Sequence, residues 1–200
     1  YAYYSMRLSS KMRFKIGAAA EYSHPKSGEL DKTYMIYQPH LDFDIAAHQS
    51  LQIKLKYRAS SDYPSIKQAT PFTHMIDSYT LEKGNPNLEP EQTHAVSLRF
   101  RIMNGLLSLE PYYSFSSNRI NRVVSSINDN MLAYSYANVG NFKSQGLKGD
   151  ITIPLFKQSL ILQSSFDVFK SSIIYNGKTN DVKDWVMNTQ LLYINKKHST

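Results

Sequence analysis

An alternation of apolar and polar residues with a period of two runs through most of this chain, and few folds accommodate it. Leu51, Ile53, Leu55 and Tyr57 alternate with Gln52, Lys54, Lys56 and Arg58. An extended strand sends these two sets to opposite faces, whereas a helix would scatter both around its axis. The same pattern sets Val96, Leu98, Phe100 and Ile102 against Ala95, Ser97, Arg99 and Arg101. It also sets Met12, Phe14, Ile16, Ala18, Ala20 and Tyr22 against Arg13, Lys15, Gly17, Ala19 and Glu21. Further strands are predicted at Ala2 to Leu8, Tyr37 to Ile45, Leu106 to Phe115, Gln145 to Leu155, Leu160 to Phe169 and Trp185 to Ile194, giving about nine in all. Several approach the ~10 residues with which a tilted strand crosses a bilayer. The fold class is all-β, with long antiparallel strands that each have one wet face.

Composition narrows the function classes. No apolar run is long enough to cross a membrane as a helix, and the 15 Tyr against a single Trp suit strands better than amphipathic helices. With no Cys there is neither a disulfide framework nor a thiolate metal site. The formal charge of +7 is spread over single Lys and Arg residues at alternating strand positions, without the cluster that nucleic-acid binding needs. Tyr1-Ala2-Tyr3-Tyr4 already reads as strand, without initiator Met or the apolar region of a signal peptide. The sequence is therefore expected to begin in mid-structure.

The connections have a rhythm of their own. Ser9-Ser10-Lys11, Ala46 to Gln49, Met103-Asn104-Gly105 and Phe156-Lys157-Gln158 are short. Ser23 to Thr33, Ala59 to Glu91, Asn118 to Met131 (partly strand) and Lys170 to Lys183 are long, and the two kinds alternate. In an up-and-down antiparallel barrel, alternate connections fall at opposite ends. One end then carries tight turns and the other long loops, as in outer-membrane barrels with periplasmic turns and extracellular loops.

Alternation alone does not say which face meets water. Two features favour a membrane barrel, with its apolar face to lipid and its polar face to a wet lumen. The polar face is densely ionic, through Asp42, Asp44, Lys54, Lys56, Arg58, Arg99, Arg101 and Glu110. Tyr4, Tyr22, Tyr37, Tyr57, Tyr113, Trp185 and Tyr193 recur near strand ends, where an interfacial aromatic girdle would sit. The alternative is a self-contained small barrel of about eight to ten strands that binds a ligand or adheres to surfaces.

The longest loop ends in Gly84-Asn85-Pro86-Asn87-Leu88-Glu89-Pro90-Glu91 and runs directly into the strand Thr93 to Ile102. This resembles the GNPxLxPE segment that precedes a barrel strand in TonB-dependent receptors of the outer membrane β-barrel protein family. Upstream, Tyr57-Arg58, Tyr63-Pro64-Ser65 and Thr70-Pro71-Phe72 look like the approach to that segment. Downstream, Asn138-Val139-Gly140-Asn141-Phe142-Lys143-Ser144-Gln145-Gly146-Leu147 resembles the next landmark, an NxGxxxSxG element opening a long strand. The family usually has Glu shortly after the second glycine, where this chain has Lys148 and then Asp150. The motif residues Gly84, Asn85, Pro86, Asn87, Leu88, Pro90, Glu91, Asn138, Gly140, Asn141, Ser144 and Gly146 are read as structural. Pro86 and Pro90 force extended backbone on the residues before them, and Gly84 is expected to permit a turn closed to most residues.

The resemblance implies a receptor in the outer membrane of a Gram-negative cell, surrounded by lipid. Such a receptor takes up an extracellular nutrient through a plug and a segment that engages TonB, neither of which is in this chain. Such barrels have about 22 strands, so residues 1–200 are expected to be a single internal segment of the barrel, without plug or signal peptide. Ser199-Thr200 does not resemble the family's terminal aromatic strand. The long loops are where ligand contacts are expected.

No other constellation suggests chemistry. His24, His40, His48, His74, His94 and His198 show no ligand spacing, so no metal or cofactor site is assigned. Asp42 and Asp44 share a strand face but suit charge pairing with neighbouring Lys and Arg better than acid–base catalysis. No catalytic residue and no nucleic-acid partner are expected. Gly17, Gly146 and Gly149 fall within strands, where bulges or close contacts are expected.

Overall fold

The computed structural model describes residues 2–27, 30–128, 130–156, 159–175 and 178–194. Lys157 and Gln158 of one predicted turn, His198 and Ser199-Thr200 lie outside that set. In chain order the first half comprises β1 (Ala2–Ser9), β2 (Met12–Ser23), β3 (Lys26–Ser27), β4 (Leu30–Asp31), β5 (Tyr34–His48), β6 (Leu51–Asp62), the single helical turn α1 (Ile66–Ala69), β7 (Thr73–Asp77) and β8 (Thr80–Lys83). The second half comprises β9 (Glu91–Ile102), β10 (Leu107–Ser117), β11 (Ile120–Asn128), β12 (Met131–Asn138), β13 (Asn141–Leu155), β14 (Leu160–Tyr175) and β15 (Lys178–Tyr193).

Nine of these strands form one antiparallel up-and-down sheet in the order β1-β2-β5-β6-β9-β10-β13-β14-β15. Its meander has the form of a barrel wall. Among the described residues it is open, with β1 and β15 at its edges. Register keeps the two faces chemically separate across strands. One row runs Phe14, Phe43, Leu55, Leu98, and the next runs Arg13, Asp44, Lys54, Arg99. The rings of Phe14 and Phe43 meet edge to face, with centroids 6.3 Å apart. All of the predicted girdle aromatics fall on the apolar face, and Tyr22, Tyr37 and Trp185 are 69%, 64% and 68% exposed there.

The three strand glycines mark close contacts, and no register shift falls at any of them. A Cβ on Gly17 would come within 2.4 Å of the His40 ring, one on Gly149 within 2.2 Å of the Phe166 ring, and one on Gly146 within 2.8 Å of the Tyr112 hydroxyl. At Gly149 the crowding atoms all belong to the Phe166 ring, whereas the Ala2 carbonyl oxygen at 2.7 Å and the Val168 carbonyl oxygen at 2.6 Å also close the Cβ positions of Gly17 and Gly146.

At the tight end, Met103, Asn104 and Gly105 have φ of 52°, 56° and 92° and turn β9 back into β10. The long connections differ from expectation in how ordered they are. Lys170 to Lys183 is mostly not a loop, because β14 and β15 stay in register up to Tyr175 opposite Lys178. The period of two is lost there, through Ser171-Ser172, Ile173-Ile174 and Asn180-Asp181, yet the backbone ladder continues. Ala59 to Glu91 holds the end of β6, then α1, β7 and β8, while β3 and β4 form a small hairpin within Ser23 to Thr33. β7 and β8 join β11 and β12 in a four-stranded sheet ordered β11-β12-β8-β7, with β8 and β12 parallel. This second sheet caps the loop end.

Candidate functional site

The cap is pinned to the wall by the segment Gly84 to Glu91. Asn85 Oδ1 accepts the amide of Asn87 at 2.9 Å, and the Leu88 amide donates to the Asn85 carbonyl at 3.3 Å. Pro86 and Asn87 are thus the centre of a tight turn, for which the fixed φ of proline is suited. The turn pushes Leu88 into a site where it is fully buried. Its carbonyl accepts the Tyr34 hydroxyl at 2.9 Å and the Lys32 ammonium at 3.2 Å, and Lys32 also reaches Glu89 at 3.0 Å. Tyr34 and Ile36, on the ionic face of β5, are 5% and 4% exposed. The best-formed apolar core among the described residues therefore lies on the lumenal face, beneath the cap.

Gly84 works differently from the sequence expectation. Its φ lies outside the left-handed region, so no unusual turn demands glycine. Space does. A Cβ there would lie 1.9 Å from the Thr70 carbonyl oxygen, because the chain is pressed against the end of α1, where the Asn85 amide donates to the Gln68 carbonyl at 2.6 Å. Helix α1 is itself fixed by a capping box between Ser65 and Gln68.

The two sequence landmarks meet in space. Asn138, at the end of β12, accepts the Glu89 amide on Oδ1 at 2.8 Å and donates through Nδ2 to the Glu89 carbonyl at 2.7 Å and the Asn118 carbonyl at 2.6 Å. Its amide side chain thus acts as a strand partner for a loop residue between two prolines. Asn85 Nδ2 donates to the Tyr136 carbonyl at 2.9 Å. Gly140, at φ 62°, then turns the chain into β13. Asn141 and Glu91 open β13 and β9. Ser144 accepts a hydrogen bond from Ser171 at 3.3 Å, and Gly146 lies under Tyr112.

Within the cap, Glu82 is the hub of a cluster that sequence reading missed. Its carboxylate receives the Lys67 ammonium at 2.7 Å and the Tyr136 hydroxyl at 2.8 Å, with His74 at 3.4 Å and Arg122 at 3.8 Å. The hydrogen bond from Lys67, then that from Tyr136, hold the Glu82 carboxyl below its ordinary range, and Lys67 is raised in turn. Arg122 also lies over the Tyr134 ring, 3.7 Å from its centroid. These partners come from α1, β7, β11 and β12, separated by up to tens of residues, so no local spacing could announce them.

The lumenal face carries further charge. Arg58 reaches Asp42 at 2.7 Å, Lys54 reaches Asp44 at 3.2 Å, and Arg99 pairs with Glu110. These are the cross-strand pairings expected for Asp42 and Asp44. Towards the tight turns, Arg7, Arg13, Lys54, Lys56, Arg99 and Arg101 border an open cavity of about 450 Å³, which Asp44 also lines. That floor has a large surplus of positive charge and suits an acidic surface or an anion. Among the described residues, no group of His, Cys, Asp or Glu is gathered closely enough to hold a metal.

A family model described as the outer membrane protein beta-barrel family matches residues 1–199. No curated protein matches the chain. Among solved structures, the siderophore receptor PirA of Pseudomonas aeruginosa superposes with a TM-score of 0.67 at 12% identity, over 94% of this chain and 40% of that one. A mutant of the ferric enterobactin receptor PfeA of Pseudomonas aeruginosa, in complex with enterobactin, gives 0.61 at 16% identity, over 87% and 30%. A double mutant of the hemophore receptor HasR of Serratia marcescens, in complex with its hemophore HasA and heme, gives 0.59 at 11% identity, over 91% and 42%. The chain spans less than half the length of each, and at these identities the likeness is one of fold.

Proposed function

The chain belongs to the outer membrane protein beta-barrel family, and on that premise we propose that it supplies wall and outer loops to a TonB-dependent receptor that imports an extracellular nutrient. Residues 1–200 act as one wall segment, with the tight turns towards the periplasm and the capped loop end outside. TonB is engaged through another part of the protein. The role is that of a receptor and not of an enzyme.

The observation that carries this reading is the asymmetry of the sheet. One face is apolar and edged with aromatics, whereas the other is ionic and bears a cap docked on it through Leu88 and Tyr34. A wall of this kind separates lipid from a wet path and holds a structured surface over the mouth of that path. The segments Gly84 to Glu91 and Asn138 to Gly146 act as structural ties between cap and wall. The solved neighbours are a siderophore receptor, a ferric enterobactin receptor and a hemophore receptor in complex with its hemophore and heme, and an iron chelate is the first nutrient to test.

The test is uptake by the intact receptor in iron-starved cells supplied with labelled ferric siderophores or heme. Replacing residues 73–83 by a short linker removes β7 and β8 and should abolish uptake while leaving surface abundance unchanged. Undiminished uptake of every labelled substrate that the parent imports would overturn a ligand-gathering role for the cap.

A further inference from the structure

The lipid-facing side of the last three wall strands ends abruptly at the loop side. Its outward rows begin with Leu155, Leu160 and Tyr193 at the tight-turn end and remain largely apolar up to Leu147, Val168 and Trp185. About eight residue steps at ~3.3 Å, tilted by roughly 40°, give a belt on the order of 20 Å tall, close to the apolar band of an outer-membrane barrel. The next row outward is Gln145, Lys170 and Lys183, and the one after is Lys143, Ser172 and Asp181. Lysines therefore appear one step beyond the indole that marks the interface.

Lys170 and Lys183 are register partners, and like charges directly opposite one another destabilise a strand pair. Asp181, 2.6 Å from Lys170 and within the field of Lys183, is a single negative charge shared between the two. Lys143 and Lys183 add two further positive charges to this face, at headgroup height. An anion seated between the strands would relieve the repulsion, and the outer leaflet of a Gram-negative membrane presents a phosphorylated glycolipid at that height.

We propose that Lys143, Lys170 and Lys183 form a binding site for the phosphate groups of outer-leaflet lipid A, whose acyl chains lie along Leu147, Val168 and Phe166. This rests on the orientation given under the proposed function, with the loop end outside.

The experiment uses the intact receptor reconstituted into phosphatidylethanolamine vesicles containing a small fraction of bisphosphorylated lipid A. Retained lipid is then counted by native mass spectrometry after detergent extraction. The parent protein should retain bisphosphorylated lipid A in preference to its dephosphorylated form and to phosphatidylglycerol. Lys143→Gln and Lys183→Gln should each weaken retention about fivefold, and raised salt should weaken it further. Lys148→Gln, on the inward face of the same strand, should not. Heat-modifiable migration on gels confirms that each variant is folded.

Equal retention of phosphorylated and dephosphorylated lipid A would overturn the site. So would retention of phosphatidylglycerol equal to that of lipid A, displacement by millimolar inorganic phosphate, or an unchanged double lysine variant. Orientation is read separately, from whole-cell labelling of Ser125→Cys on β11 with an impermeant maleimide. Labelling without lipid A retention rejects the site and keeps the orientation, whereas failure to label rejects both.

Discussion

The wall and the cap are both β-sheet, but they are held together by different means. In the wall, adjacent strands are mostly sequence neighbours, every pairing is antiparallel, and stability comes from a repeated ladder with lipid against one face. In the cap, β8 lies parallel to β12 although some fifty residues separate them. Individual side chains do the joining: Leu88, Asn138, Asn85 and the cluster around Glu82. A ladder spreads its free energy over many equivalent bonds, whereas the cap concentrates it in a few contacts. The wall should therefore tolerate single changes that the cap does not, and each should fail without the other.

The sharpest break is Gly84→Ala. A methyl group 1.9 Å from a carbonyl oxygen cannot be accommodated, so the chain must leave α1, and the turn that buries Leu88 goes with it. The expected result is complete loss of protease resistance across residues 63–90 in the intact receptor, with heat-modifiable migration of the barrel preserved. Retained cap protection would show that the cap is more compliant than its contacts imply.

The converse is Leu98→Arg, in the lipid-facing row in which it pairs with Leu55. An arginine near mid-membrane on the lipid face costs about 2–4 kcal/mol. Folding into detergent or bilayers should weaken by that amount in urea titrations, while amide exchange in β8 and β12 is unchanged once the protein has folded. Equal loss of protection in both sheets would mean that the cap depends on the wall's stability throughout.

A smaller and graded effect is expected from pH. The folded Glu82 carboxyl titrates below its ordinary value, so its contribution is fully present above the ordinary glutamate pKa of about 4.3. That contribution is lost as pH falls through the lowered value. Lys67, His74, Arg122 and Tyr136 surround it, and protonation removes the negative partner from all of them. Acidification below about pH 4 should speed amide exchange in β7 and β8 before it affects β9 or β10. Glu82→Gln should abolish that difference.

The same contrast governs what could be read from the sequence. All nine wall strands were legible, and their tight-turn ends fall within three residues of expectation, because a period of two with lipid on one side constrains each position; the strand beginning at Leu51 was recognisable from its own alternation. The turns were legible because they are short. The upper parts of β14 and β15 were not, since above the membrane the ladder no longer requires apolar residues and its sequence looks like that of a loop. In the cap, the asparagines and prolines of the two landmarks were visible as motifs. Their contact, Asn138 to Glu89, was not, because each half makes sense locally without the other. Gly84 was recognised as special for the wrong reason, since close approach and left-handed backbone leave the same letter in a sequence. Glu82 left no signal, because its partners converge only after the chain folds.

The rings lying on glycines have a consequence for how such a wall can drift. Phe166 on Gly149 is a single unit divided between two strands, because only ring atoms crowd that glycine, whereas the Ala2 and Val168 carbonyl oxygens also close Gly17 and Gly146 to a Cβ. A larger residue cannot replace Gly149 while its ring remains, and a lost ring exposes bare backbone where the glycine was. Among distant descendants Gly149 and Phe166 should change together or not at all, a heritable pair written across two strands, while Gly17 and Gly146 should stay glycine whatever ring lies beside them.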